Sequence, residues 1–103
     1  MSKKKKGGYF DIVSNEKPTL VDFFATWCGP CKGMNPVLQD LANDLNGAAR
    51  VLKIDIDKNQ KLAQKLDVQS VPTIMIYKEG KIVWRRSGAQ TKAKLMKALK
   101  PHF

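Results

Sequence analysis

Hydrophobic and polar residues alternate along the chain with two spacings, and the order of these spacings predicts its elements. Helical spacing begins at Tyr9 and should end near Glu16, because Pro18 restricts the residue before it. The apolar run Thr19–Phe24 predicts a strand buried on both faces, interrupted by one acid, Asp22. The chain therefore starts its folded part with a short helix and a buried strand.

The rest of the pattern alternates in the same way. It predicts a helix from Cys28 or Gly29 to Leu45, a strand Val51–Ile56, a helix Lys58–Leu66, strands Thr73–Tyr77 and Lys81–Arg86, and a helix Thr91–Lys100. Pro36 lies inside the long helix, where it lacks an N–H donor and predicts a kink. The order α-β-α-β-α-β-β-α predicts an α/β domain with a central mixed sheet of about four strands and helices on both faces.

Length and charge limit the partners of this domain. A chain of 103 residues is the size of one domain, and the lysines of Lys3–Lys6 contribute four charges to a net charge of +10. A lysine run before two glycines predicts a disordered basic tail at residues 1–8, with the folded domain at 9–103. A basic balance favours anionic partners in general and indicates no specific nucleic acid.

Cysteine content and hydropathy indicate the compartment. No apolar run approaches the ~20 residues of a membrane span, and the N-terminal lysines are not followed by a signal-peptide core. Two cysteines are too few for a secreted disulfide scaffold. A reducing compartment, the cytoplasm, is the expected location.

Cys28 and Cys31 are three residues apart, a spacing compatible with a structural disulfide, half of a metal site or a redox centre. A disulfide between them would remove little entropy from the unfolded chain, because it closes a loop of two residues. A zinc site needs four ligands, and the chain adds His102 alone, so no metal is expected outside a site shared by two copies. A reversible dithiol fits the spacing best.

The position of the pair predicts different roles for the two cysteines. Cys28 follows a strand and precedes a helix, where free N–H groups and the helix dipole favour a thiolate, the attacking species in disulfide exchange. Cys31, one turn further, should be more buried and should resolve the mixed disulfide. Pro30 suits the first helical turn.

Asp22 is the candidate proton acceptor for Cys31. An acid inside a buried strand loses hydration, which raises its pKa towards the range of a general base. Lys53 of the second strand is a candidate partner for this acid. The alternative is a half-exposed or capped acid without a chemical role.

Four segments of the chain form one set of motifs: "WCGPCK" at residues 27–32, "VDFFATWCGPCK" with Asp22, "SVPT" at 70–73 and "SGA" at 87–89. Together these motifs resemble the thioredoxin family. The likeness covers roughly residues 9–99 and implies the thioredoxin fold. One departure is that no strand pattern precedes Tyr9, so the first strand of the family should be missing and Val51–Ile56 should be an open edge of the sheet.

The resemblance also implies a protein-disulfide reductase. In that reading Cys28 attacks, Cys31 resolves, and Asp22 assists Cys31 through water. Val71, before a cis-proline, would offer its backbone to an extended substrate segment. The docking surface would comprise Trp27, Gly29, Pro30, Val71, Pro72, Gly88 and Ala89.

The implied partners are thioredoxin reductase, which draws on NADPH, and client proteins that contain disulfides. No cofactor is expected on the chain itself, because the dithiol is the redox group, and a monomer is expected. Phe24 stands where many family members have a second tryptophan, so the wall of the site should be less polar.

Two alternative functions stay open on these residues. The first is an oxidase or isomerase, although Gly-Pro without histidine between the cysteines resembles the reducing members of the family. The second is a non-catalytic, redox-dependent binding module for an acidic protein partner, which the basic surface allows.

Overall fold

The computed structural model describes residues 8–103. Its elements are α1 (Tyr9–Val13), β1 (Thr19–Phe24), α2 (Gly29–Leu45), β2 (Arg50–Asp55), α3 (Gln60–Lys65), β3 (Thr73–Lys78), β4 (Lys81–Ser87), α4 (Lys92–Leu99) and a 3₁₀ turn (Lys100–His102). The tail predicted at residues 1–8 lies outside this range except for Gly8, whose carbonyl oxygen accepts the N–H of Ile12 at 2.9 Å. None of the helices in residues 8–103 has the length and hydropathy needed to cross a membrane.

The four strands form one mixed sheet in the order β2-β1-β3-β4, which confirms the predicted fold class. β1 pairs with β2 in parallel and with β3 antiparallel, and β3 and β4 form a hairpin. Within residues 8–103 no strand precedes α1, and β2 is an edge of the sheet. In this register Asp22 lies between Lys53 of β2 and Ile74 of β3.

Helices cover both faces of the sheet. Successive strand residues point to opposite sides, so the continuous apolar run of β1 presents apolar side chains to both. On one face, Leu20 of β1 packs in a cluster with α2 and α4 residues such as Leu41 and Leu95. On the other face, Val21 and Phe23 pack with residues of α1 and α3. β1 is fully buried from Thr19 to Phe23, as its continuous apolar pattern predicts.

The helix bounds differ from the predicted ones at α1. This helix ends at Val13 rather than near Glu16. The backbone after it bonds to the β3–β4 turn: Gly80 N–H donates to Val13 O at 3.1 Å and Glu79 N–H to Asn15 O at 3.0 Å. A contact with a distant hairpin therefore replaces the last helical turn.

The long helix α2 has the predicted bounds. It runs through Pro36 to Leu45, and its C-cap Asn46 adopts a left-handed conformation with φ 47°. Asparagine and the following glycine tolerate such angles, so the Asn46-Gly47 stop is confirmed. α3, in contrast, begins at Gln60, two residues later than predicted.

Candidate active site

Cys28 and Cys31 form a disulfide at the start of α2, with Cα atoms 5.3 Å apart. Cys28 is the N-cap of the helix, and its Sγ accepts the N–H of Cys31 at 3.1 Å. Cys28 is 4% exposed and Cys31 2%, so exposure barely separates the two in the disulfide state. Their difference lies in position, because one sulfur caps the helix and the other lies one turn inside it.

The loop before β3 completes one side of the site. The Val71–Pro72 peptide bond is cis, as the resemblance implies. The carbonyl oxygen of Val71 lies 3.7 Å from Cys28 Sγ, which in the disulfide carries no proton and makes a contact rather than a hydrogen bond. Gly88 N–H donates to Pro72 O at 2.8 Å. With φ +90°, Gly88 is in a conformation that side chains rarely adopt.

Exposed residues surround this disulfide. Trp27 is 68% exposed, and its Nε1–H donates to Asp57 Oδ2 at 2.9 Å. Gly29, Pro30 and Ala89 are exposed as well. Trp27 is therefore an apolar surface held in one orientation by a single polar contact.

Asp22 is fully buried, and neither carboxylate oxygen has a hydrogen-bond partner among the described residues. Loss of hydration raises the pKa of Asp22 to about 6, and the charge of Lys53 opposes that rise. The half-exposed alternative for Asp22 is thus incompatible with its burial. A carboxyl group with this pKa exchanges its proton near neutral pH.

Lys53 lies opposite Asp22 on β2 but bonds elsewhere. Its Nζ donates to Asn35 Oδ1 at 2.6 Å and lies 4.4 Å from the centroid of the Phe24 ring. A cavity of about 220 Å³ lies beside these groups, and it is lined by Phe24, Ala25, Thr26, Cys31, Lys32, Asn35 and Lys53. The predicted pair of Asp22 and Lys53 is therefore adjacent in the sheet without a direct ion pair.

Two residues at the site were not identified from the sequence. Asn35 lies four residues after Cys31, so its helical spacing places it on the same side of α2. Asp57 follows β2, whose carboxyl end lies beside that of β1 because the two strands are parallel. Both positions could have been found from these spacings.

The side chains that could bind a metal are not clustered in the described residues. Across residues 8–103 no three His, Cys, Asp or Glu side chains lie together in a way that could hold a metal ion. His102 lies in the 3₁₀ turn after α4, whereas the cysteines start α2.

A family model described as "Thioredoxin" matches residues 1–101 of the chain. The chain belongs to the thioredoxin family. A thioredoxin of Staphylococcus saprophyticus is 47% identical over 94 residues, which cover 91% of this chain and 90% of that protein. A bifunctional thioredoxin reductase/thioredoxin of Mycobacterium leprae is 43% identical over 91 residues, 88% of this chain and 20% of that protein.

Solved structures agree with these relatives. Oxidised mitochondrial thioredoxin 3 of Saccharomyces cerevisiae is 31% identical with a TM-score of 0.81, over 90% of this chain and 86% of the yeast chain. This member of the thioredoxin family is a thiol-disulfide oxidoreductase, and Cys28–Cys31 is its redox-active disulfide.

Proposed function

We propose that this member of the thioredoxin family acts as a general protein-disulfide reductase, with Cys28 as the attacking and Cys31 as the resolving cysteine. The supporting observation is the position of Cys28 at the N-cap of α2, where its sulfur already accepts a backbone N–H at 3.1 Å. A thiolate at this position gains the same hydrogen bond and the favourable end of the helix dipole.

The reaction proceeds in two exchanges. The Cys28 thiolate attacks one sulfur of a client disulfide, which forms a mixed disulfide and releases the first client thiolate. Cys31, as a thiolate, then attacks Cys28 Sγ, which forms the Cys28–Cys31 bond and releases the second client thiolate. Each client thiolate takes up one proton, so the client gains two electrons and two protons.

Asp22 accepts the proton of Cys31 during the second exchange. Its pKa of about 6 lets the carboxylate take up a proton and return it near neutral pH. Water is the proposed link between the two groups. A cavity of about 220 Å³ is lined by Cys31 and by Lys53, the residue opposite Asp22 in the sheet, whereas Asp22 itself does not line it. It has room for several water molecules, since water occupies ~30 Å³ each in the liquid.

Clients dock as an extended segment beside Val71. Its carbonyl oxygen, 3.7 Å from Cys28 Sγ, aligns a bound backbone with the attacking sulfur. The proposed surface, apolar and largely free of charge, consists of Trp27, Gly29, Pro30, Val71, Pro72, Gly88 and Ala89. Such a surface supports binding of many sequences, because main-chain contacts carry most of the recognition.

A thioredoxin reductase that draws on NADPH restores the dithiol. The fusion of reductase and thioredoxin named for the Mycobacterium leprae relative supports this partner. The proposed setting is the cytoplasm, where thiols are kept reduced, and the proposed working form is a monomer with no bound cofactor.

Trapping tests the assignment of the cysteines. Cys31→Ser should accumulate mixed disulfides on Cys28 when mixed with disulfide-containing proteins, because the resolving thiol is gone. Cys28→Ser is the matched control and should trap almost none. Clients trapped mainly through Cys31, identified by mass spectrometry of the linked peptides, would reverse the roles.

A further inference from the structure

Asn35 lies outside the residues that carry the family resemblance, yet it makes a short polar contact beside the disulfide. It is one helical turn after Cys31 on α2, on the same side of the helix. Its Oδ1 accepts a hydrogen bond from Lys53 Nζ at 2.6 Å. An amide oxygen can hold an ammonium in this way without neutralising its charge.

A second contact restrains the same ammonium. Lys53 Nζ lies 4.4 Å from the centroid of the Phe24 ring, at a distance where a cation is attracted to the ring face. Asn35 on α2 and Phe24 on β1 therefore both contact this ammonium, although the Lys53 side chain is exposed. All three residues line the cavity that also contains Cys31.

These contacts leave Asp22 without an ion pair. Lys53 is opposite Asp22 in the parallel register, so it is the cation best placed to reach the carboxylate. Both oxygens of Asp22 nevertheless lack a hydrogen-bond donor among the described residues. A buried carboxylate without protein donors attracts the nearest cation, and Asn35 and Phe24 are the groups that contact this cation instead.

No other charged group among the described residues forms an ion pair with Asp22. On β3 the residue opposite Asp22 is Ile74, which has no charge. The remaining groups are Lys32 of α2, which lines the cavity; Asp55 of β2, whose Oδ1 accepts Asp57 N–H; and Arg86 of β4, whose guanidinium lies 5.1 Å from the Trp84 ring.

We propose that Asn35 is a positioning residue for thiol-disulfide exchange: together with Phe24 it holds the Lys53 ammonium at the cavity and keeps it from pairing with Asp22. The functional meaning rests on the proposed role of Asp22 as proton acceptor for Cys31. Direct pairing with Lys53 would lower the pKa of Asp22 away from neutral pH, where a weaker base accepts protons less readily.

The test is the titration of the Asp22 carboxyl carbon in the oxidised protein, followed by ¹³C NMR. Asn35→Ala should lower the midpoint pH of the Asp22 titration by roughly 1 pH unit, the size expected when the opposite charge of Lys53 comes close. Asn43→Ala is the matched control, because it makes the same change at an exposed position of α2. An unchanged or raised midpoint in Asn35→Ala, or an equal shift in Asn43→Ala, overturns the proposal.

Repeating the substitution in a protein without the Lys53 ammonium shows whether Asn35 acts through Lys53. In a Lys53→Met protein, Asn35→Ala should no longer shift the Asp22 midpoint. A shift of the same size there would mean that Asn35 acts on Asp22 by another route, and the proposal would be wrong.

This readout needs no turnover, so it is separate from the proposed function. If Asp22→Asn leaves the rate of client release unchanged, the role of Asp22 as proton acceptor fails. The effect of Asn35 on the Asp22 titration would still be decided by the NMR measurement.

Discussion

Leu20 and Asp22 lie two residues apart on the same face of β1 and are both fully buried, but their surroundings differ. Leu20 belongs to the apolar cluster that includes Leu38 and Leu41 of α2. Asp22 lies towards the disulfide end of the helix, with no hydrogen-bond donor on its carboxylate among residues 8–103. One half of this face thus stabilises the fold, and the other keeps a reactive acid at a cost in stability.

The apolar half should show the largest loss of stability. Leu41→Ala removes a side chain that is 0% exposed, and such changes cost about 2–5 kcal/mol in the free energy of unfolding. Urea denaturation measures this cost. Gln39→Ala, at an exposed position of the same helix, is the control.

The same Leu41→Ala protein also tests the separation of the two halves. Its cluster contains neither cysteine, so the reduction potential of Cys28–Cys31 should stay at the wild-type value. A large change in the potential would mean that packing and redox chemistry are coupled.

Asp22, in contrast to the apolar residues on this face, should lower the free energy of unfolding at neutral pH. The pKa of Asp22 rises from 3.8 to about 6 on folding, so the folded state binds its proton more tightly than the unfolded chain. Stability from this group is fully present below about pH 4 and is lost as the pH rises through about 6. The loss is of the order of 3 kcal/mol, taking 1.36 kcal/mol per pKa unit.

The amide of Asp22→Asn has no charge at any pH, so this variant does not undergo that loss. Its free energy of unfolding relative to wild type should therefore rise by about 3 kcal/mol between pH 3 and pH 8. Urea denaturation of both proteins across this range gives the comparison. Glu79→Gln removes an exposed carboxylate in the hairpin turn and serves as the control. A constant difference between Asp22→Asn and wild type at all pH values would contradict the cost assigned to Asp22.

Local patterns were sufficient for most of the fold. The bounds of β1 and α2 agree with the sequence because both depend on periodicity, turn residues and burial of neighbouring positions. The end of α1 could not be predicted, since it depends on hydrogen bonds from Glu79 and Gly80, more than 60 residues away.

The candidate site also has residues that could be predicted from the sequence and a contact that could not. Cys28, Cys31 and Asp22 could be identified because their residue types and neighbours indicate the chemistry. The contact of Lys53 with Asn35 could not, because the sequence gives the position of a side chain on its strand and not the direction of its ammonium. Lys53, the predicted partner of Asp22, lies opposite it in the sheet but forms no ion pair with it, because its ammonium bonds to Asn35 where α2 packs on the sheet.

The most direct test of the account is the reduction potential of the Cys28–Cys31 couple, measured by equilibration in redox buffers. Thioredoxin has a reduction potential of about −270 mV, against a glutathione poise of about −220 to −260 mV by extraction. A reductase should lie clearly below that poise, and we expect this result. A potential above about −200 mV would indicate an oxidase or isomerase and would contradict the proposed function.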